Sequence, residues 1–383
     1  MLPRVFRTEE IQDLSRRKHS RGNLLIFLKY VVPFLLLAAG FLVLGSRFLG
    51  TVRFMLPQTK YIFVPCLTVA PNRLERYINP PTTLMHNMSD EELLWAASFA
   101  PQVKEYPFKR VPKVAFMFLT RGPLPLSPLW EKFFKGNEGF YSIYIHSLPV
   151  HKASFPANSV FYGRQVPSKV AEWGKMSVCD AERRLLANAL LDLSNEWFLL
   201  LSEACIPLYN FSIIYNYLKR SHYSYVGAFD DPGPHGRGRY NPKMAPLISL
   251  DQWRKGSQWF EVDRELAIYI VQDTKYYSKF TDFCKPPCYV DEHYFPTMLH
   301  IEAPNKISNR SLTFVDWSRG GAHPATFGKG DISEEFFRER FFGDLDCIYN
   351  GQHSSLCVLF ARKFAPSALE PLLQLASTVL GFG

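Results

Sequence analysis

Three titratable groups stand side by side at Asp291-Glu292-His293, between apolar and proline-containing flanks. A carboxylate partly withdrawn from water beside aromatic rings becomes a better proton acceptor, so this triplet can supply a general base. The same acids would equally suit the first turn of a helix, where they offset its dipole. Arg362-Lys363 interrupts the apolar run 358–364. Charges in such a run need a partner or a ligand. A diphosphate would serve, with arginine giving a bidentate contact and lysine a point charge; snorkelling at the end of an element is the alternative. A Gly/Pro/Arg loop carries Arg237, Arg239 and Tyr240. It suits a sugar or an anionic group, or is a solvated surface. Trp253, Trp259, Tyr240 and Phe260 have faces that stack on sugar rings, although aromatics at these spacings also build cores.

Elements must bring these residues together. Residues 114–120 form a continuous apolar run of strand length, and 140–146 and 195–202 read as further strands. Val160-Phe-Tyr is expected as another. Amphipathic spacing predicts helices over 126–135 and 181–193. Helices are also expected over 211–220 and 264–272, the second reached through a strand after Trp253. This alternation predicts a doubly wound, mostly parallel α/β sheet covered on both faces. Ligands then sit beyond the carboxyl ends of the strands. Those ends are Leu119-Thr120-Arg121, His146-Ser147 and Ser202-Glu203-Ala204-Cys205.

Composition sets the surroundings. The chain has 383 residues, 47% hydrophobic and 21% charged, which excludes a disordered or fibrous protein. Its net charge of +9 is spread out, with no Lys/Arg block of the nucleic-acid-binding kind. Residues 24–47 are almost wholly apolar, long enough for a ~30 Å hydrocarbon core at ~20 residues. The preceding segment is rich in Arg and Lys, so the positive-inside rule puts the N-terminus in the cytosol and the bulk of the chain outside it. Residues 46–110 are proline-rich and read as a stem. Sequons stand at Asn87, Asn210 and Asn309. Seven cysteines are too few for a disulfide-framework miniprotein. Cys284 and Cys288, and Cys347 and Cys357, are spaced for local disulfides in an oxidising lumen, or are free buried thiols.

A resemblance covers about residues 112–370. Its carriers are Trp173-Gly-Lys-Met-Ser, Ala181-Glu-Arg-Arg-Leu-Leu-Ala-Asn-Ala-Leu, Leu199-Leu-Leu-Ser-Glu-Ala-Cys-Ile-Pro and Trp253-Arg-Lys-Gly-Ser-Gln-Trp-Phe. Asp291-Glu-His-Tyr-Phe-Pro-Thr and Leu359-Phe-Ala-Arg-Lys-Phe complete the set. Together they resemble the core-2/I-branching β-1,6-N-acetylglucosaminyltransferase family (glycosyltransferase family 14), most closely its plant brittle-culm-type branch. The resemblance implies a type II Golgi membrane enzyme with a GT-A-like fold. It implies an inverting, metal-independent transfer of N-acetylglucosamine or a related sugar from a UDP-sugar to a glycan or glycoprotein. Glu292 then falls on the catalytic carboxylate and Lys363 on the diphosphate lysine, beside Arg362. The family's partner arginine has no clear counterpart, leaving Arg338 and Arg340 as nearby candidates. Leu119, Thr120 and Arg121 fall on the nucleotide strand end, with Glu203 at the same rim. His146 stands where the family has an Asp contacting the nucleoside. Arg237, Arg239, Tyr240, Trp259 and Asp291 are assigned to the acceptor side.

No cofactor is expected. A metal-binding D-x-D would belong at the end of the central strand, which instead ends Ser202-Glu203-Ala204. Asp344-Leu-Asp346 matches the pattern in the wrong place. If no metal is present, leaving-group charge must be met by Arg and Lys. The expected order is a cytosolic tail (1–23), an anchor (24–47), a stem (48–111), the transferase domain (112–370) and a C-terminal tail (371–383). A catalytically silent, membrane-anchored module binding glycans or nucleotide sugars is the alternative, supported by His146. A glycoside hydrolase would need two flanking carboxylates, and only one acid motif stands out.

Overall fold

The computed structural model describes residues 29–30, 32–55, 83–99, 106–152, 154–321 and 323–383, with only the backbone for 45–55. The expected tail 1–23, much of the stem and Cys66 lie outside them. The chain divides into two compact units, Met1–Ala70 and Pro71–Gly383.

In the first unit the apolar run is helical, as α1 (Val32–Met55). Pro33 sits in its first turn, where a missing N–H leaves no bond unmade. Among the described residues no helix is long and apolar enough to cross a membrane.

The second unit is a mixed α/β fold with a parallel sheet at its centre. β1 (Lys113–Leu119), β2 (Tyr141–His146) and β3 (Asn195–Ser202) run parallel in the order β2-β1-β3. Strand side chains alternate between faces, and here both faces are apolar. Val114, Phe116 and Phe118 enter one core; Ala115 and Met117 enter the other. In β3, Leu199 and Leu201 face the first core and Phe198 and Leu200 the second. That double burial is why the strands read as unbroken apolar runs.

Helices cover each face. α3 (Ser127–Phe134) and α5 (Phe211–Arg220) bury aromatic and aliphatic side chains in the first core. α2 (Asp90–Ser98), α4 (Met176–Leu190), α6 (Arg264–Gln272), α7 (Lys275–Phe283) and α8 (Tyr294–Glu302) belong to the second. The chain goes from β1 to β2, then back past β1 to β3, so strand order reverses at β1.

The structure departs from the sequence expectation at several points. Residues 160–162 form turns, not a strand; Pro156 and Gly163 (φ +67°) flank them, and Phe161 is buried against Phe118. Helix α4 begins at Met176, before the expected 181. The strand after Trp253, β5 (Glu261–Asp263), pairs antiparallel with β3 at one edge and leaves the sheet mostly parallel, as expected. A second sheet joins β4 (Ile206–Pro207), β6 (Thr313–Val315) and β9 (Phe360–Arg362) in the order β4-β9-β6. Between β6 and β9 come α9 (Glu334–Arg340) and the hairpin β7 (Cys347–Tyr349) and β8 (Gln352–Ser354).

Both expected boundaries carry buried side chains. Leu84, Leu93 and Ala97, in the expected stem, lie in the second core. Helix α10 (Leu369–Leu375) and the residues after it put Leu372, Ala376, Leu380 and Phe382 into the first. Sulfur–sulfur bonds join Cys284 to Cys288 and Cys347 to Cys357, while Cys179 and Cys205 are free and buried. Asn87 and Asn309 are exposed; Asn210 caps α5, its Oδ1 accepting from the Ile213 amide at 3.0 Å.

Candidate active site

A cleft of about 1950 Å³ opens beyond the carboxyl ends of β1, β2 and β3. Leu119, Thr120, Arg121, His146, Glu203, Arg239, Tyr240, Trp259, Asp291, Glu292, Arg362 and Lys363 all line it. Three expected residues do not. Arg237 is turned outward onto Asp230, with bonds of 2.7 and 2.8 Å. Arg340 pairs with Asp316 at 3.0 Å, and Arg338 is likewise absent from the lining.

Glu292 ends a single 3-10 turn, Val290–Glu292, that leads into α8. Its carbonyl accepts from the Gly256 amide at 2.8 Å. Position 256 must be glycine, because a Cβ there would collide with the Gly227 carbonyl. The Glu292 carboxylate is held through Oε2, by Arg239 Nη1 at 2.7 Å and by Lys255 Nζ at 3.8 Å. Among the described residues Oε1 has no hydrogen-bond donor, so one lone-pair set remains for a substrate proton. Arg239 is itself positioned over the Tyr289 ring, 4.6 Å from its centroid.

The other members of the triplet differ. Asp291 is buried, and burial followed by the charge of Glu292 pushes its carboxyl up to about 6. His293 is not in the cleft. Its ring stacks on Trp253 at 4.5 Å and its Nδ1 donates to the Arg254 carbonyl at 2.8 Å. Burial pushes that imidazole down to about 3, so it stays neutral.

At the other end, Arg121 follows β1, Glu203 follows β3, and Arg362-Lys363 closes β9. The Phe364 amide bonds the Ala204 carbonyl at 3.0 Å, which seats Lys363 beside the end of β3. Burial, and then the neighbouring charge of Arg362, push the Lys363 amine below the ordinary lysine value.

His146 is buried at the end of β2. Its Nε2 accepts from Arg184 Nη1 at 2.9 Å, because arginine has no acceptor to offer. Burial and that neighbouring charge push the ring down to about 3. Arg184 is fixed in turn by a two-pronged pair with Asp90 of α2, both bonds 2.8 Å.

The aromatic assignments change most. Trp253, Trp259 and Phe260 are buried core residues. The aromatic faces open in the cleft belong to Trp173 (47% exposed), Phe229 and Trp317 (both 50%). Sequence reasoning also missed Glu182, buried in α4 with its carboxyl pushed well up by burial and by Asp291. Its signal was there: an acid in the apolar register with Cys179 and Leu186.

The Core-2/I-Branching enzyme family model matches residues 114–340. The rice protein "Glycosyltransferase BC10" (Oryza sativa subsp. japonica) is 35% identical over 311 residues, covering 69% of this chain and 76% of that protein. The chain belongs to the core-2/I-branching family. It is therefore a glycosyltransferase, a class that takes a sugar donor and a glycan acceptor. The match to the core-2/I-branching family includes Arg239 and Glu292 and stops short of Arg362-Lys363.

Proposed function

We propose that this chain is an inverting glycosyltransferase that moves N-acetylglucosamine or a related sugar from a UDP-sugar to a hydroxyl of a glycan or glycoprotein. The observation that carries the reading is that Glu292 and Lys363, far apart in sequence, line one cleft from separate elements. The acceptor oxygen attacks the anomeric carbon and its proton passes to the Glu292 carboxylate. The bond from that carbon to the diphosphate oxygen breaks, and UDP leaves with the electron pair. Lys363 with a nearby arginine receives the charge, and Arg121 lines the nucleotide rim, so a divalent ion is not required. A β-1,6 linkage is the form the resemblance implies.

The setting is proposed with the reaction: a single-pass type II protein of the Golgi membrane, anchored through residues 24–47, with its transferase unit in the lumen. The basic segment before that run, the sequons and the two disulfides support this orientation. The test is UDP release by the purified chain from a panel of UDP-sugars with oligosaccharide acceptors, with and without EDTA. Release from at least one donor, undiminished by EDTA, is expected. No release from any donor removes the reading, and a loss restored by Mn²⁺ removes its metal-free part.

A further inference from the structure

We infer that Arg362, lying over the Trp259 ring, is the second cation that receives the donor diphosphate, in the role the resemblance left to Arg338 or Arg340. The inference rests on the donor reading above and adds a residue and a holding device to it. The Arg362 guanidinium carbon lies 4.0 Å from the centroid of the Trp259 ring. Among the described residues that guanidinium has no hydrogen bond and no ion pair, and its Nε is buried without a partner. A cation withdrawn from water without a partner is costly, so such groups persist where an anion completes them.

The surroundings supply too little negative charge. Arg121, Arg362 and Lys363 line this end of the cleft together, and Glu203 is the carboxylate that faces them. Arg340 is already committed to Asp316. Contact with a ring through the guanidinium carbon uses none of the N–H donors, which remain for phosphate oxygens in bidentate bonds. Trp259 is only 4% exposed, too buried to stack on a sugar but well placed to hold the arginine. A lysine at 362 would keep the charge and lose the fork.

Titration calorimetry with UDP, uridine and inorganic pyrophosphate separates the possibilities. The unmodified chain is expected to bind UDP and pyrophosphate. Arg362→Met is expected to lose roughly 10- to 100-fold in affinity for both, with uridine affinity unchanged. Arg362→Lys recovers part of that loss, Trp259→Leu gives a smaller one, and Arg340→Met gives none. Folded Arg362→Met that binds UDP like the parent overturns the inference, as does a loss in Arg340→Met. If Arg362→Met does not fold, Arg362→Lys decides: binding equal to the parent overturns the role of the fork. A parent chain that releases UDP from a donor yet ignores pyrophosphate overturns the inference alone. One that binds neither UDP nor pyrophosphate overturns the donor reading with it.

Discussion

The two ends of the cleft treat charge in opposite ways. At one end Glu292 is balanced inside the protein: Arg239 and Lys255 hold its carboxylate. Two further acids, Asp291 and Glu182, lie buried nearby with raised pKa values. At the other end, among the described residues, Arg121, Arg362 and Lys363 face one carboxylate, Glu203. On the proposed reading the first end is complete in the free enzyme and the second is completed by the donor diphosphate. A base that must accept one proton needs a fixed position. A site that must absorb the charge of a departing diphosphate needs an unmet demand for anions.

The largest effect that separates the ends is on turnover. Glu292→Gln keeps the shape and the bond to Arg239 but removes the proton acceptor. Turnover is expected to fall by roughly 10²–10⁴-fold, the contribution of a general base. UDP affinity, set at the opposite end, is expected to hold. Turnover assays beside UDP titration check both, and a variant that loses UDP binding as well would erase the distinction between the ends.

A smaller effect sharpens the cationic end. Burial and the charge of Arg362 push the Lys363 amine down, partly offset by Glu203. The charged form exists below the pKa, so UDP affinity is expected to fall as pH rises, starting below the ordinary lysine value of about 10.4. Lys363→Arg keeps its charge over that range and is expected to remove the decline. Titrations at several alkaline pH values check it, and an identical decline in both proteins would assign the effect to another group.

The sequence made some of this legible and hid the rest for physical reasons. Helices 211–220 and 264–272 and strand 195–202 end where the pattern said, because local spacing and breakers set them. The second sheet was invisible: its strands are two or three residues long and come from 206, 313 and 360. That Glu292 and Lys363 would line the cleft was legible because a charge among apolar residues is conspicuous. Trp259 was misread because sequence cannot tell a ring facing a cleft from one buried under an arginine. Arg338 and Arg340 lie off the cleft because nearness in sequence does not fix nearness in space: no residue of α9 lines it.

Glu261 supplies the contrast with Glu292: an acid governed by burial, with no cation on its oxygens. It is fully buried between the two sheets, its oxygens accepting from the Leu312 amide and the Thr313 hydroxyl, both at 3.0 Å. Burial pushes its carboxyl up to about 7. The folded chain therefore keeps a proton that the unfolded chain releases near 4.3, the ordinary glutamate value. The stability this contributes is full below that value and is lost as pH rises to about 7. For a fully buried group the loss is on the order of 1–3 kcal/mol. Glu261→Gln can keep both bonds, its carbonyl toward the Leu312 amide and its amide toward the Thr313 oxygen. Turnover is expected to change least of all, because Glu261 does not line the cleft. Thermal unfolding across pH 4–8 is expected to show a flatter stability profile for the variant. An unchanged slope would mean that the neighbouring Arg310, which also acts on this acid, keeps it ionised. The acid between the sheets would then be governed by a cation, as the one in the cleft is.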